Sequence, residues 1–127
     1  MELPTMELPR IHRTSRDVFK QNKVFVMVGD EIASKVEFDI DFCSITWVKT
    51  YNKYRNRGFA RLALSDTIKW IKSTGRCSQV SLTIAPQHNT EYTRLLGFYR
   101  EFGFRPATIS DWIKTIQRRP CKLSAEL

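Results

Sequence analysis

The residues best suited to chemistry lie in one short turn. Tyr54-Arg55-Asn56-Arg57-Gly58-Phe59-Ala60 separates a β-forming run from a helical one. The first N–H groups of a helix have no internal partners and carry the positive end of its dipole. Gly58 lets the main chain approach a ligand closely, and the small Ala60 keeps the way clear. Arg55, Arg57 and Arg61 add formal charge. Such a turn suits an anion such as phosphate. The competing reading is a solvated basic turn ahead of an amphipathic helix. With one glycine it is not a dinucleotide fingerprint, and no Gly-x-x-x-x-Gly-Lys-Ser/Thr run occurs. Glu37, Asp39, Asp41 and His88 could each act as a base, but each is more often just a solvated group.

Positioning that turn requires a strand before it and a helix after it. Ser44–Thr50 is rich in β-branched and aromatic residues and reads as a strand. From Gly58 to Thr74, Ala60, Leu64, Thr67, Ile68 and Ile71 share one helix face, and Gly75 suits a left-handed cap. Upstream, Lys23–Val28 and the alternating Ile32–Asp41 form a hairpin about Gly29-Asp30, a type II′ signal. Ile32, Ser34, Val36, Phe38 and Ile40 are expected on its buried face. Ile11–Thr14 is a short first strand, and Ser15–Lys20 suggests one helical turn.

Downstream, Val80, Leu82 and Ile84 alternate with polar residues as a further strand. Asn89 or Thr90 caps a second helix whose stripe is Tyr92, Leu95, Leu96, Tyr99 and Phe102. Gly103 ends that helix; Gly97 inside it suggests a close packing contact. A last strand is expected at Trp112–Gln117. The order β-β-β-α-β-α-β predicts a mixed α/β (α+β) sheet with flanking helices. Domain limits follow: a flexible arm over 1–10 with its MELP doublet, one domain over 11–120, and a tail over 121–127.

Composition narrows the function classes. The 127 residues suffice for one domain with its own core. No apolar run approaches the ~20 residues of a membrane span, so no membrane partner is expected. Three separated cysteines, Cys43, Cys77 and Cys121, read as reduced thiols of a cytoplasmic protein, with no metal site. The net charge of +8 favours phosphate- or carboxylate-rich partners.

Arg55-x-x-Gly58-x-Ala60 resembles the [Q/R]-x-x-G-x-[G/A] motif of the GNAT superfamily, the acyl-CoA-dependent N-acyltransferases. Tyr99-Arg100-Glu101-Phe102-Gly103-Phe104 resembles the family's Tyr-x-x-x-Gly-Phe segment. The likeness is strong over 45–105 and weaker over 23–44. It implies a GNAT-like central mixed sheet and acetyl-CoA as acyl donor. By carry-over, the amides of Arg57, Gly58, Phe59 and Ala60, with Arg55 beside them, hold the pyrophosphate. Main-chain groups of Val48, Lys49 and Thr50 line the pantetheine arm, where two central strands part. Tyr99 matches the tyrosine proposed to protonate the leaving thiolate; its other reading is a core tyrosine. Asn89 either touches the donor or caps its helix.

Two departures from the family pattern bear on the acceptor. Where many members carry a glutamate, near the start of the strand before the turn, this chain has Cys43 and Ser44. The two helices usual between the first two strands have no room within Arg13–Lys23. The acceptor side is therefore expected to be open and basic, suiting a protein lysine in an acidic context or an aminoacylated RNA. The implied activity is direct N-acetyl transfer. The alternative is a non-catalytic module binding nucleic acid or a protein through its basic surface.

Overall fold

Alternation in the first half of the chain becomes an antiparallel meander. β1 (Arg10–Thr14), β2 (Asn22–Val28), β3 (Glu31–Asp39) and β4 (Ser44–Thr50) pair in sequence. In this computed structural model, residues 8–15, 18, 20–85 and 89–127 are described, with the backbone alone at 89 and 90. The second half adds α1 (Phe59–Ser73), β5 (Gln79–Ile84), α2 (Asn89–Glu101), β6 (Arg105–Pro106), α3 (Ile109–Ile116) and β7 (Cys121–Glu126). Together the strands form one seven-stranded sheet in the order β1-β2-β3-β4-β5-β7-β6. Among the described residues only the β4–β5 contact is parallel.

The β2–β3 turn is as expected in kind. Val28 pairs with Glu31, so Gly29 and Asp30 form a two-residue loop, and Gly29 has φ +59°. That positive φ at the first loop position is the one glycine adopts without strain. The face assignment needs one correction. The register shifts after Val26, so Ala33 is an extra residue in β3. Ala33 is buried, and Ile32, expected in the core, is 37% exposed. A bulge reverses the alternation before it.

α1 lays Ala63, Leu64, Thr67 and Ile71 against the sheet, where Val24, Val26, Val36 and Phe38 are fully buried. Each such aliphatic side chain contributes roughly 1.5–3 kcal/mol. Trp70 meets Phe38 edge-on at 5.1 Å. From β1, the Arg13 guanidinium covers the Trp70 ring at 5.0 Å and pairs with Asp66 at 2.8 Å, so the helix is also tied to the outer strand.

The C-terminal expectations are overturned. Residues 109–116 are helix, not strand. Thr108 caps the helix: its hydroxyl oxygen accepts from the Asp111 amide at 3.1 Å and donates to the Asp111 carboxylate at 2.8 Å. This reciprocal cap outweighs the β-propensity of Ile109, Trp112, Ile113 and Ile116. The Lys122 amide and the Thr108 hydroxyl both donate to Asp111, which holds its carboxyl below the usual range. Residues 121–126, expected as a tail, are a strand inside the sheet. Cys121, Leu123 and Ala125 are buried and alternate with Lys122, Ser124 and Glu126. Gly97 also has no packing contact: a Cβ there would meet nothing within 4 Å. Arg16, Asp17 and Phe19 of the helical turn expected at Ser15–Lys20, and most of the arm, lie outside the described residues.

Two of the three cysteines are not free thiols. Cys43 and Cys77 form a disulfide, which joins the loop before β4 to the segment before β5. Cys121 is a buried free thiol. The cytoplasmic expectation rested on reduced thiols and loses that support.

Candidate functional site

The site begins where the sheet opens. β4 is paired with β3 along its length, from Ser44 to Thr50. Toward β5 it has one pair, Ser44 with Ser81, and the Ser81 amide donates to the Cys43 carbonyl at 3.0 Å. Beyond that point β4 and β5 separate. The cause lies in β4. Glu37 pairs with Trp47 and Phe38 with Ile45, which leaves Thr46 as an extra, bulged residue. A bulge bends the strand that carries it. Val48, Lys49 and Thr50 therefore lie on an edge with no partner strand on the β5 side. Such an edge offers main-chain donors and acceptors to an extended ligand.

Both ends of this wedge are pinned. The Cys43–Cys77 disulfide closes its base. At the open end, the Ser34 hydroxyl donates to the Lys49 carbonyl at 3.0 Å, and its oxygen lies 3.0 Å from the Thr50 hydroxyl. Neither fastening was foreseen. Ser34 is a small polar residue on the expected buried face with no local signal of its partner, and cysteine pairing does not follow from spacing alone.

The open end leads into the turn. Tyr51 donates its amide to the Ala33 carbonyl at 3.0 Å, and a short 3-10 turn follows at Asn52–Tyr54. Tyr54 is buried; its hydroxyl donates to the Glu31 carboxylate, which also pairs with Lys53 at 3.0 Å. The Tyr54 hydrogen bond, then Lys53, holds the Glu31 carboxyl below its ordinary range and raises the Tyr54 phenol. The Tyr54 ring meets Phe59 at 5.8 Å. The turn is thus fixed to the start of β3 and to the first residue of α1.

Gly58 is the N-cap of α1, with φ +81° and no side-chain cap. A Cβ at Gly58 would meet nothing within 4 Å, so the space above it is open. With no side chain over them, the first amides of α1 face that space. Among the flanking cations the structure discriminates. Lys53 is held by Glu31 and Arg61 by Glu101. Arg55 reaches back to the Thr50 carbonyl at 3.5 Å. Arg57 is exposed and has no ion pair among the described residues. The basic cluster is thus partly neutralised by acids distant in sequence.

α2 stands beside the turn. Arg94 donates to the Asn56 side-chain carbonyl at 2.5 Å, and Arg61 also lies 5.9 Å from the Phe98 and Phe102 rings. Tyr99 is 7% exposed, between Phe98 at 5.3 Å and Phe104 at 6.0 Å. Burial pushes its phenol up to about 12. No side chain among the described residues hydrogen-bonds its hydroxyl. Asn89 opens α2, but its side chain, like His88, lies outside the described residues.

The three carboxylates among the expected bases are occupied. Glu37 lies 3.6 Å from both Lys23 and Lys35. Asp39 accepts from the Asp41 amide at 2.9 Å, and Asp41 pairs with Arg76 at 2.9 Å. Cys43 is committed to its disulfide.

No family model and no curated protein sequence matches the chain. Solved structures do. The "IAA acetyltransferase" of Bacillus cereus ATCC 14579 is similar at TM-score 0.70 and 12% identity, covering 94% of this chain and 100% of that one. A Bacillus subtilis acetyltransferase in complex with CoA gives 0.70 and 13%, covering 94% and 99%. A GNAT family acetyltransferase of Elizabethkingia anophelis with acetyl-CoA bound gives 0.66 and 15%, covering 94% and 98%. The chain has the GNAT fold. Against a Pyrococcus horikoshii OT3 protein, at TM-score 0.65 and 15% identity, the GNAT-fold chain matches over 83% of its length but spans only 64% of the other.

Proposed function

We propose that this chain is an N-acetyltransferase that moves an acetyl group from acetyl-CoA to an amine on a macromolecule by direct transfer. The observation that carries this reading is the unpartnered edge of β4 running into the uncapped N-terminus of α1. Pantetheine is an extended amide chain, suited to pairing with Val48, Lys49 and Thr50 as an added strand. The pyrophosphate suits the amides of Arg57, Gly58, Phe59 and Ala60, with Arg57 the available cation and Arg55 beside it. Crystal structures with this fold carry CoA or acetyl-CoA, which supports the donor.

In the reaction a neutral amine attacks the thioester carbonyl, forming the C–N bond as the C–S bond breaks. The amine proton leaves to water or a base, and the thiolate takes up a proton. Tyr99 is suited to the latter end. Its buried phenol stays protonated throughout the neutral range. A free thiol ionises near 8.5, so full proton transfer from Tyr99 runs uphill. Its contribution is a hydrogen bond to the developing thiolate charge. Occupied candidate bases favour a substrate amine that is already deprotonated, with positioning as the main catalytic means. The acceptor reading rests on the first connection: only residues 15–21 join β1 to β2, too few for a pair of covering helices.

The occupied bases also sustain a second reading, a module that binds acyl-CoA or a macromolecule without turnover. Calorimetry with acetyl-CoA tests the first step. The chain should bind, Gly58→Asp should abolish binding by placing a carboxylate against the pyrophosphate, and Arg57→Ala should weaken it several-fold. Arg57 is exposed, so that variant leaves the fold intact. A chain that does not bind acetyl-CoA overturns the proposal; one that binds but acetylates neither protein lysines nor aminoacylated RNA supports the second reading.

A further inference from the structure

α3 faces the wrong way for a helix held by its apolar side. Ile109, Trp112, Ile113 and Ile116 fall at i, i+3, i+4 and i+7, the spacing of a core-facing stripe. They are 82%, 52%, 47% and 65% exposed. The residues turned inward are Asp111 and Thr115, both polar. α3 is held by hydrogen bonds, through the Thr108–Asp111 cap and the Lys122 amide. Its whole apolar ridge is left to solvent, a placement that costs free energy unless something covers it.

Charge around the ridge restricts the occupant. Between Arg105 and Lys122 the sequence has Arg105, Lys114, Arg118, Arg119 and Lys122 against one acid, Asp111. Asp111 is buried and acts on Lys114 and Lys122, which leaves Arg118 and Arg119 as the exposed cations beside the ridge. Lys114, Arg118 and Arg119 form no ion pair among the described residues. A second copy of the chain is a poor occupant, because a two-fold contact would set this cationic collar against itself. A stable protein pair also engages about 20–30 residues a side, far more than one ridge of four. A convex apolar ridge with a basic collar instead matches the interfacial region of an anionic bilayer, where Trp is favoured and apolar side chains enter the acyl boundary.

We propose that α3 is a docking ridge for an anionic phospholipid surface. Ile109, Trp112, Ile113 and Ile116 enter the interface, and Arg118 and Arg119, exposed just past the end of the helix, lie among the headgroups. The absence of a spanning segment does not oppose this, since the helix lies on the bilayer and does not cross it. The site is independent of acetyl-CoA, so its test does not depend on the proposed transferase activity.

Cosedimentation of the full chain with vesicles of phosphatidylcholine plus phosphatidylserine, and with phosphatidylcholine alone, reads the proposal directly. Binding is expected to the anionic vesicles at low salt, falling as salt rises. Trp112→Ser with Ile116→Ser should abolish it, and Arg118→Asn with Arg119→Ser should weaken it roughly tenfold or more. Both pairs are exposed, and unchanged thermal melting confirms that the fold is kept. No binding to anionic vesicles overturns the proposal. Equal binding by the Trp112→Ser/Ile116→Ser variant overturns it too, since the contact then lies elsewhere. A dimer in light scattering that these two substitutions dissociate assigns the ridge to a second copy instead.

Discussion

β5 meets its two neighbours in opposite ways. Toward β7 it forms six consecutive pairs, from Gln79 with Glu126 to Ile84 with Cys121. Toward β4 it forms one, Ser44 with Ser81. The strand is the same, so the difference does not arise from β5 itself. On one side β7 alternates regularly and follows β5 without a break. On the other, the Thr46 bulge turns β4 away. Main-chain bonds absent between β4 and β5 are therefore available to a ligand, at the place where α1 presents its first amides. The sheet remains one body because the disulfide and Ser44–Ser81 hold the base, and the Arg61–Glu101 pair ties α1 to α2.

The sharpest way to break this contrast is at the base of the wedge. Cys43 and Cys77 are 34 residues apart, and a cross-link over that loop stabilises by roughly 3–4 kcal/mol through the unfolded chain. Cys43→Ser with Cys77→Ser should lower the urea midpoint correspondingly. It should also weaken acetyl-CoA binding, because the β4 edge then has only one strand pair to place it against β5. Dithiol reductant should have the same effect on the parent chain and none on the double variant. A parent chain whose urea midpoint ignores reductant would remove the disulfide from this account.

The comparison also shows what a sequence can convey. The turn was legible because a helix-opening glycine, a small residue and arginines are local features. So was the β2–β3 hairpin, whose register follows from two adjacent residues. The splay was reached only through resemblance, since the Thr46 bulge depends on how β3 pairs with β4, and no residue type marks it. Arg61 reads as available at the turn; its partner Glu101 is 40 residues away, and the neighbouring Lys53 is likewise held by Glu31, 22 residues away. At the C-terminus the signals were present but weighed wrongly. Thr108-x-x-Asp111 is a cap, and Cys121-Lys-Leu-Ser-Ala-Glu alternates with period two. The β-branched and aromatic residues of α3 favour a strand by propensity alone, which the cap overrides.

Tyr99 tests whether the open side of β5 is an active site or only a binding groove. If its hydroxyl stabilises the leaving thiolate, Tyr99→Phe should lower turnover by about 10–100-fold with little change in acetyl-CoA affinity. The pH profile separates this from a packing effect. Tyr99 ionises only at about 12, so below pH 10 the fall should be a constant factor, with no shift of the alkaline limb. Phenylalanine keeps the contacts with Phe98 and Phe104, so stability should hold. Unchanged turnover would return Tyr99 to the core and leave positioning alone as the catalytic means.

The smallest effect separates ligand space from vacant surface. Gly97 lies on the exposed side of α2, and a Cβ there meets no atom within 4 Å. Its φ is not positive, so alanine is accommodated without strain. Glycine within a helix costs up to ~1 kcal/mol relative to alanine. Gly97→Ala should therefore stabilise the chain by up to that amount in urea titration. Acetyl-CoA affinity should not change if the donor keeps to the β4 edge and the α1 turn. A more stable variant with weakened binding would mean that the donor passes close to the α2 backbone, extending the groove from the open side of β5 across α2.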